Sequence, residues 1–242
     1  MDIDALKLTA RFSMSPNKLG YCGLNTAESR FRKCILEDNG DGIEEEISHF
    51  IVLNPYLETL KKITGLDKFS YEIAESYWLG NEELNKATIE DYQILLDNFV
   101  KQGVPDWLIE ELRQKTPKKF IPTHLFQVLH VGVGRASGSV PFNMKTINNC
   151  IVRWGKVESS KSKSLKVDLN SLEESKGGYK LKLIKEEVEI DETLNPGIEN
   201  GDVVAVHWGR VAKKLTPEEV EKLEYWTRVV LENIEIDKNL ER

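Results

Sequence analysis

Cysteine is scarce in this sequence, and its spacing excludes a disulfide framework. The 242 residues include three cysteines, Cys22, Cys34 and Cys150, which are odd in number and far apart. Secreted domains that depend on disulfides carry more cysteines at closer spacing. The amino-terminal stretch MDIDALKL is acidic and lacks the apolar segment of a secretory signal. We therefore expect a protein of the reducing cytoplasm.

Long apolar runs, surplus positive charge and common catalytic motifs are also missing. No stretch approaches the roughly 20 apolar residues that cross a bilayer. A formal net charge of −7 argues against binding to nucleic acid or acidic lipid. The lysines between residues 156 and 185 lack the interleaved aromatic residues of an RNA-binding surface. No G-x-S-x-G, C-x-x-C or H-E-x-x-H motif occurs, so no enzyme class is assigned by motif.

The first half of the chain has the periodicity of helices. Apolar residues recur there at helical spacing, and capping signals precede several of the segments. Asn25 and Glu28 form a capping-box pattern, and Asn54–Pro55 interrupts the apolar pattern. The predicted helices cover residues 29–36, 43–53, 56–63, 69–79, 89–100 and 106–114. We expect residues 1–145 to form a helical domain.

After residue 145 the sequence pattern changes from that of helices to that of β-strands. Alternating and fully apolar segments bounded by turn residues predict strands at 150–157, 165–169, 179–190 and 203–211. Thr216, Pro217 and Glu219 then start a helix whose apolar stripe continues to Ile234. The predicted fold class is α+β, with a helical domain followed by a small OB-like β-barrel and a carboxy-terminal helix at residues 146–242.

Two residues of the β region, Cys150 and His207, are candidate site residues because of their sequence surroundings. His207 lies in a strand that is apolar on both faces, and Cys150 opens the first predicted strand. A half-buried histidine and a small buried thiol are the common structural roles for such residues. Imidazole and thiolate are also ligands for soft and borderline metal ions, so a metal site is the functional alternative.

Three further residues are weaker candidates for an additional site. Cys22 follows a glycine-rich turn close to a predicted helix start, where a thiol pKa tends to fall. His124 and His130 are six residues apart, which places them on one face of a strand but on different sides of a helix. Cys22 with either histidine as base is also the arrangement of a cysteine-dependent enzyme.

The β region resembles the small hydrogenase assembly chaperones of the HypC/HupF family. The shared elements are a cysteine that leads into a strand, a Gly-Lys-Val triplet, a G-D-x-V-x-V-H-x-G strand and a closing helix, here Cys150, residues 155–157, residues 201–209 and residues 216–234. About a third of the chain is covered. Cys150 is internal here, whereas the family's cysteine is amino-terminal, and the helical domain lies outside the pattern. The segments SPNKLGYCG and HWGRV together also look like a larger uncharacterised family.

The resemblance implies a function in metalloenzyme assembly. The family carries the iron fragment of the [NiFe] centre through its cysteine and a nearby histidine, and it engages the hydrogenase large subunit. We therefore expect Cys150 and His207 to bind iron at a partly open edge of the barrel, with a hydrogenase subunit or another maturation factor as protein partner. The alternatives are a metal-free scaffold that binds a protein partner, and the cysteine-dependent enzyme that uses Cys22.

Overall fold

A computed structural model describes residues 2–24 and 26–234, and it confirms the α+β class. In these two ranges the amino-terminal part is helical, five strands follow, and a further helix comes last. The helices are α1 (Ile3–Lys18), α2 (Glu28–Glu37), α3 (Ile43–Ser48), α4 (Leu53–Thr64), α5 (Tyr71–Trp78), α6 (Tyr92–Gln102), α7 (Asp106–Gln114), α8 (His124–Phe126), α9 (Met144–Cys150) and α10 (Pro217–Asn233). A 3-10 segment covers Glu82–Lys86, and a π-helical segment, Gln127–Gly132, continues α8.

Helix α1 is the central helix of the molecule, although the sequence analysis did not identify it. The Asp2 carboxylate accepts hydrogen bonds from the backbone N–H groups of Asp4 and Ala5, at 3.0 and 3.3 Å, and so caps the first turn. Leu6 and Phe12 are fully buried, and the helix packs against α2 and α5 as well as β4 and β5. Strong burial on several sides explains why no simple apolar stripe marks this helix.

Several predicted helix boundaries differ from the structure; the helix predicted at 43–53, for example, ends at Ser48. Helix α4 begins at Leu53 and runs through Pro55, because a proline in the first turn has no helical hydrogen bond to lose. Helix α2 begins at Glu28 with Ala27 at the N-cap position and no side-chain cap. Asn25, the residue predicted to cap it, lies outside the described residues.

The five strands form an irregular ring. They are β1 (Arg153–Lys161), β2 (Ser164–Ser175), β3 (Gly178–Glu189), β4 (Val203–His207) and β5 (Arg210–Lys214). Their order around the ring is β1-β2-β3-β5-β4, and β4 pairs with β1. The ring closes between β3 and β5 through one parallel pair, Glu189 with Arg210, so it is not a regular barrel. A small apolar core, which includes Leu165, Val167 and Val206, fills its interior.

Two strand predictions at the functional residues were wrong. Cys150 does not open a strand but ends α9, a helix that begins with a capping box between Asn143 and Thr146. The predicted strand 203–211 is two strands, because Trp208 and Gly209 form a tight turn with φ values of 51° and 71°. A run of apolar residues on both sides of that turn concealed it in the sequence.

The carboxy-terminal helix confirms its prediction, and it packs against the helical part of the molecule. Thr216 and Glu219 make the expected capping box, and Leu223, Trp226 and Val230 are buried. A Cβ on Gly80 would lie only 2.4 Å from the Trp226 side chain, so α10 packs closely on the chain just after α5. The larger apolar core contains residues from both sides of the predicted boundary at 145/146. The two-domain division itself stays a prediction.

None of the helices in the described ranges has the length and apolar character needed to span a membrane.

Candidate metal centre

His124, Cys150 and His207 converge in the interior. Their ligand-type atoms all lie within 4.8 Å of one another, and the three residues are 6 %, 6 % and 2 % exposed. The Cys150 Sγ atom is 3.8 Å from His124 Nε2. The two imidazole rings are perpendicular, with centroids 5.2 Å apart. The fold thus brings together the two residues predicted as a pair and one of the three weaker candidates.

Local structure places His207 at the end of β4. The backbone N–H of Trp208, in the turn that follows, donates to the carbonyl oxygen of Asn149 at 2.7 Å. Asn149 precedes Cys150 in α9, so this hydrogen bond ties the end of the strand to the end of the helix. Cys150 and His207, which are 57 positions apart in the sequence, are therefore held side by side.

Hydrogen bonding fixes the tautomer of His207. Its Nδ1 lies 2.6 Å from the carbonyl oxygen of Phe12, and a carbonyl only accepts, so Nδ1 carries the proton. The Nε2 atom then has a free lone pair. This atom is buried, and among residues 2–24 and 26–234 it has no hydrogen-bond partner. A buried, unpaired acceptor is costly in a folded protein and calls for an explanation.

His124 is held from both ring nitrogens. Its Nε2 donates to the carbonyl oxygen of Cys150 at 2.6 Å, and its Nδ1 accepts from the hydroxyl of Tyr77 at 3.0 Å. Coordination through Nε2 requires the proton to move to Nδ1, where the Tyr77 oxygen would accept it. A tyrosine hydroxyl both donates and accepts, so the pair survives this change of tautomer.

Burial keeps the three groups neutral. It lowers the pKa of His124 to about 3, with a further decrease from the positive charge that His207 would carry. It lowers the pKa of His207 to about 4, against an opposing effect of the backbone carbonyl groups of Phe12 and Cys150. It raises the pKa of the Cys150 thiol well above its usual range. The cluster therefore holds two neutral imidazoles and a protonated thiol at neutral pH.

A small cavity adjoins the cluster. Its volume is about 60 Å³, and Ser13, Tyr77 and Trp78 are among its lining residues. A water molecule needs at least about 10–15 Å³ of such space, so an ion and one or two waters fit. Partly exposed residues, Tyr21 and Trp208, form part of the wall. The expected partly open edge is thus a buried chamber with partly exposed walls.

The other two candidates have different environments. Cys22 lines the same cavity, but its thiol is outside the three-residue cluster, and burial raises its pKa to about 12. No hydrogen bond joins that thiol to a histidine in the described part of the chain, which weakens the cysteine-enzyme alternative. His130 lies away from the cluster, where its Nε2 pairs with the Tyr92 hydroxyl at 2.9 Å and its ring stacks on Phe126. The helical conformation of residues 124–132 separates the two histidines.

Sequence reasoning missed the aromatic surroundings of the cluster. Tyr77 and Trp78 appeared as core residues of a helix, but both touch His124, with ring centroids 5.4 and 4.6 Å apart. The structural sign of a functional site is the π-helical segment that begins at Gln127, directly after α8, because such segments are frequent at functional sites. No simple sequence pattern predicts a π-helical segment.

The donor set suits a transition-metal ion. Sulfur and imidazole nitrogen are ligands for Zn²⁺, Fe²⁺ and related ions. Three protein ligands leave one position of a tetrahedral site open, as in catalytic or exchangeable sites rather than closed structural ones. Coordination by Cys150 would release its proton, so binding would strengthen as pH rises.

Comparison with known proteins gives a family without an assigned activity. Neither the curated proteins nor the solved structures contain a match to this chain. The model of a family of unknown function, DUF6390, matches residues 2–240, which is nearly the whole chain. The match supports the second resemblance, to an uncharacterised family, and leaves the resemblance to the hydrogenase chaperones a prediction. The chain with its buried Cys-His-His cluster belongs to the family of unknown function DUF6390.

Proposed function

We propose that the protein binds a transition-metal ion, iron in particular, through Cys150, His207 and His124. Its function would be that of an accessory protein in metalloenzyme assembly, and the [NiFe] hydrogenases are the class that the HypC/HupF resemblance implies. The protein partner would be a hydrogenase large subunit or another maturation factor.

The main support for this proposal is the environment of the His207 Nε2 atom. The unpaired lone pair of His207 Nε2 is buried beside a thiol and a second imidazole. A bound cation would satisfy that acceptor and would use all three side chains at once. The Phe12 carbonyl oxygen would act as the outer partner that orients the His207 ring, as is usual for metal-binding histidines.

Burial of the site affects how such a protein would release its metal ion. An ion held by three buried side chains is released slowly, so delivery would require the wall around Tyr21 and Trp208 to move. The turn between α1 and α2 contains Gly20 and Gly23, both at positive φ, and it supplies Tyr21 and Cys22 to the wall. We infer that a partner protein would act on this turn.

A matched pair of cysteine variants tests the metal proposal. Cys150 and Cys34 are both buried, but Cys34 lies in α2 outside the cluster. We expect anaerobically purified wild type and Cys34→Ala to retain bound iron at a similar ratio, and Cys150→Ala to lose most of it. Equal iron content in all three proteins, or no iron in any of them, would contradict the proposal.

A cellular assay tests the assembly role separately. In cells that depend on this protein for hydrogenase maturation, Cys150→Ala should lower hydrogenase activity while Cys34→Ala preserves it. A protein that co-purifies with its partner equally well with and without Cys150 would instead be the metal-free scaffold. The protonated, buried thiol of the unbound protein is the observation that favours this second candidate.

A further inference from the structure

A second cavity, of about 110 Å³, also has His207 in its wall. It lies between α1, the chain around Leu194 and strand β5. Its charged lining consists of four cationic side chains and two carboxylates, namely Arg11, Lys18, Arg32, Arg210, Glu28 and Asp191. The positive charges outnumber the negative ones, although the whole chain is acidic.

Three of these cations already have a carboxylate partner. Lys18 pairs with Glu28 at 2.7 Å, and Arg32 pairs with Asp191 at 2.5 Å. Arg210 pairs with a glutamate of β3 at 2.5 Å. These pairs account for both carboxylates of the lining, so neither is left to neutralise another charge.

Arg11 differs from the other three cations. Its Nη1 donates to the carbonyl oxygens of Leu194 and Ala212 and to the amide oxygen of Asn195, at 3.0, 3.2 and 3.2 Å. All of these acceptors are neutral, and no carboxylate within residues 2–24 or 26–234 forms an ion pair with Arg11. The guanidinium is half-buried, and burial lowers its pKa, which is the sign of a charge that lacks compensation.

Ser15 supplies an independent observation in the same cavity. The residue is 7 % exposed, and its hydroxyl has no hydrogen-bond partner in the described structure. A buried hydroxyl without a partner costs free energy, so its presence beside an uncompensated cation requires a reason. An oxygen-bearing anion would accept from this hydroxyl and would neutralise Arg11 as well.

We propose that this cavity binds one small oxyanion, a phosphate or a carboxylate, with Arg11 as its charge partner and Ser15 as a hydrogen-bond donor. The volume limits the ligand, because pockets for larger organic ligands measure roughly 300–1,000 Å³. Because His207 lines both cavities, the anion would sit next to a residue of the candidate metal centre. The proposal does not depend on metal binding.

Calorimetric titration of the metal-free, full-length chain tests this site. Inorganic phosphate and succinate are titrated separately at low ionic strength, which identifies the kind of oxyanion. We expect one equivalent of at least one of them to bind the wild type. Ser15→Ala should bind it roughly tenfold or more weakly, because a hydrogen bond to a charged group is lost. Arg11→Met should abolish measurable binding.

The control variant is Arg113→Met, which removes an exposed arginine of α7 and should bind like the wild type. Arg11→Met also removes three hydrogen bonds, so its fold is checked by circular dichroism. Ser15→Ala loses no hydrogen bond of the unliganded protein and keeps the test valid if Arg11→Met fails to fold. Absence of binding for both anions, or equal affinity of wild type and Ser15→Ala, would overturn the proposal.

Discussion

At the scale of single residues, the cluster depends on which nitrogen of each histidine carries a proton. His207 is already in the tautomer that leaves Nε2 free, whereas His124 must exchange its proton between nitrogens. The Tyr77 hydroxyl keeps the free-energy cost of that exchange low, because it pairs with Nδ1 in either tautomer. Tyr77 is thus a positioning residue for the proposed metal site.

Two tyrosine–histidine pairs allow a controlled test of this role. Tyr77→Phe should weaken Zn²⁺ binding by about 10–100-fold, as is typical when the outer partner of a metal-binding histidine is removed. Tyr92→Phe removes the equivalent hydroxyl from His130, outside the cluster, and should leave the affinity unchanged. Competition with a chelating dye measures both. A similar loss of affinity in both variants would show a general loss of stability instead.

The sequence indicated some of these residues as candidates but did not predict the contacts between them. The predicted strand 203–211 marked His207 because a histidine is unusual among Val, Ala and Trp. His124 was a weak candidate, since its spacing from His130 favoured a shared site only on a strand. The contact of His124 with Cys150 arises from the packing of α8 against the end of α9, and no local pattern predicts such a contact.

At the scale of elements, close packing of the ring depends on Gly155 in β1. A Cβ at this position would lie 2.1 Å from the backbone carbonyl oxygen of Asp168 in the neighbouring strand. Its φ is not positive, so the requirement comes from the approach of the two strands and not from backbone conformation. This contact gives a physical reason for the glycine of the Gly-Lys-Val triplet.

Two glycine variants in the same sheet test this explanation. Gly155→Ala should destabilise the protein by about 1–3 kcal/mol or more, because strand backbone must shift to admit the methyl group. Gly178→Ala, in β3, has only one atom within 4 Å of its Cβ, at 3.8 Å, and should change stability by less than about 0.5 kcal/mol. Urea denaturation measures both free energies of unfolding. Equal losses would contradict the steric argument.

Elements with strong local signals were predicted, and elements set by neighbours were not. Helix α7 matches residues 106–114, and α10 matches its capping box. Helix α9 was missed because its seven residues form only two turns, and its last residue, Cys150, was attributed to the following strand. The β4–β5 turn was missed because Trp208 takes a positive φ, which turn statistics assign to Gly or Asn.

At the scale of the whole molecule, three buried histidines couple stability to pH. Burial lowers the pKa of His124 and His130 to about 3 and that of His207 to about 4. The unfolded chain takes up protons below its pKa of about 6.5, whereas the folded chain does not until pH approaches 4. Stability is therefore greatest above pH 6.5 and falls as pH decreases from there towards 4.

A variant outside the cluster measures this coupling. Each such histidine contributes a slope of about 1.4 kcal/mol per pH unit between pH 6 and 4. His130→Gln should reduce the slope of unfolding free energy against pH by that amount, whatever its effect on stability at pH 7. Urea denaturation at several pH values gives the slope, and an unchanged slope in the variant would contradict the account.

The central claim is that Cys150, His207 and His124 form one metal site, and Co²⁺ titration of the metal-free protein tests it most directly. We predict that one equivalent of Co²⁺ binds with a thiolate-to-metal charge-transfer absorption in the near ultraviolet. That absorption should disappear in Cys150→Ser, Co²⁺ binding should weaken in His207→Ala, and both should persist in His130→Gln. A folded wild-type protein that shows no such absorption, or one that Cys150→Ser leaves intact, would contradict the account.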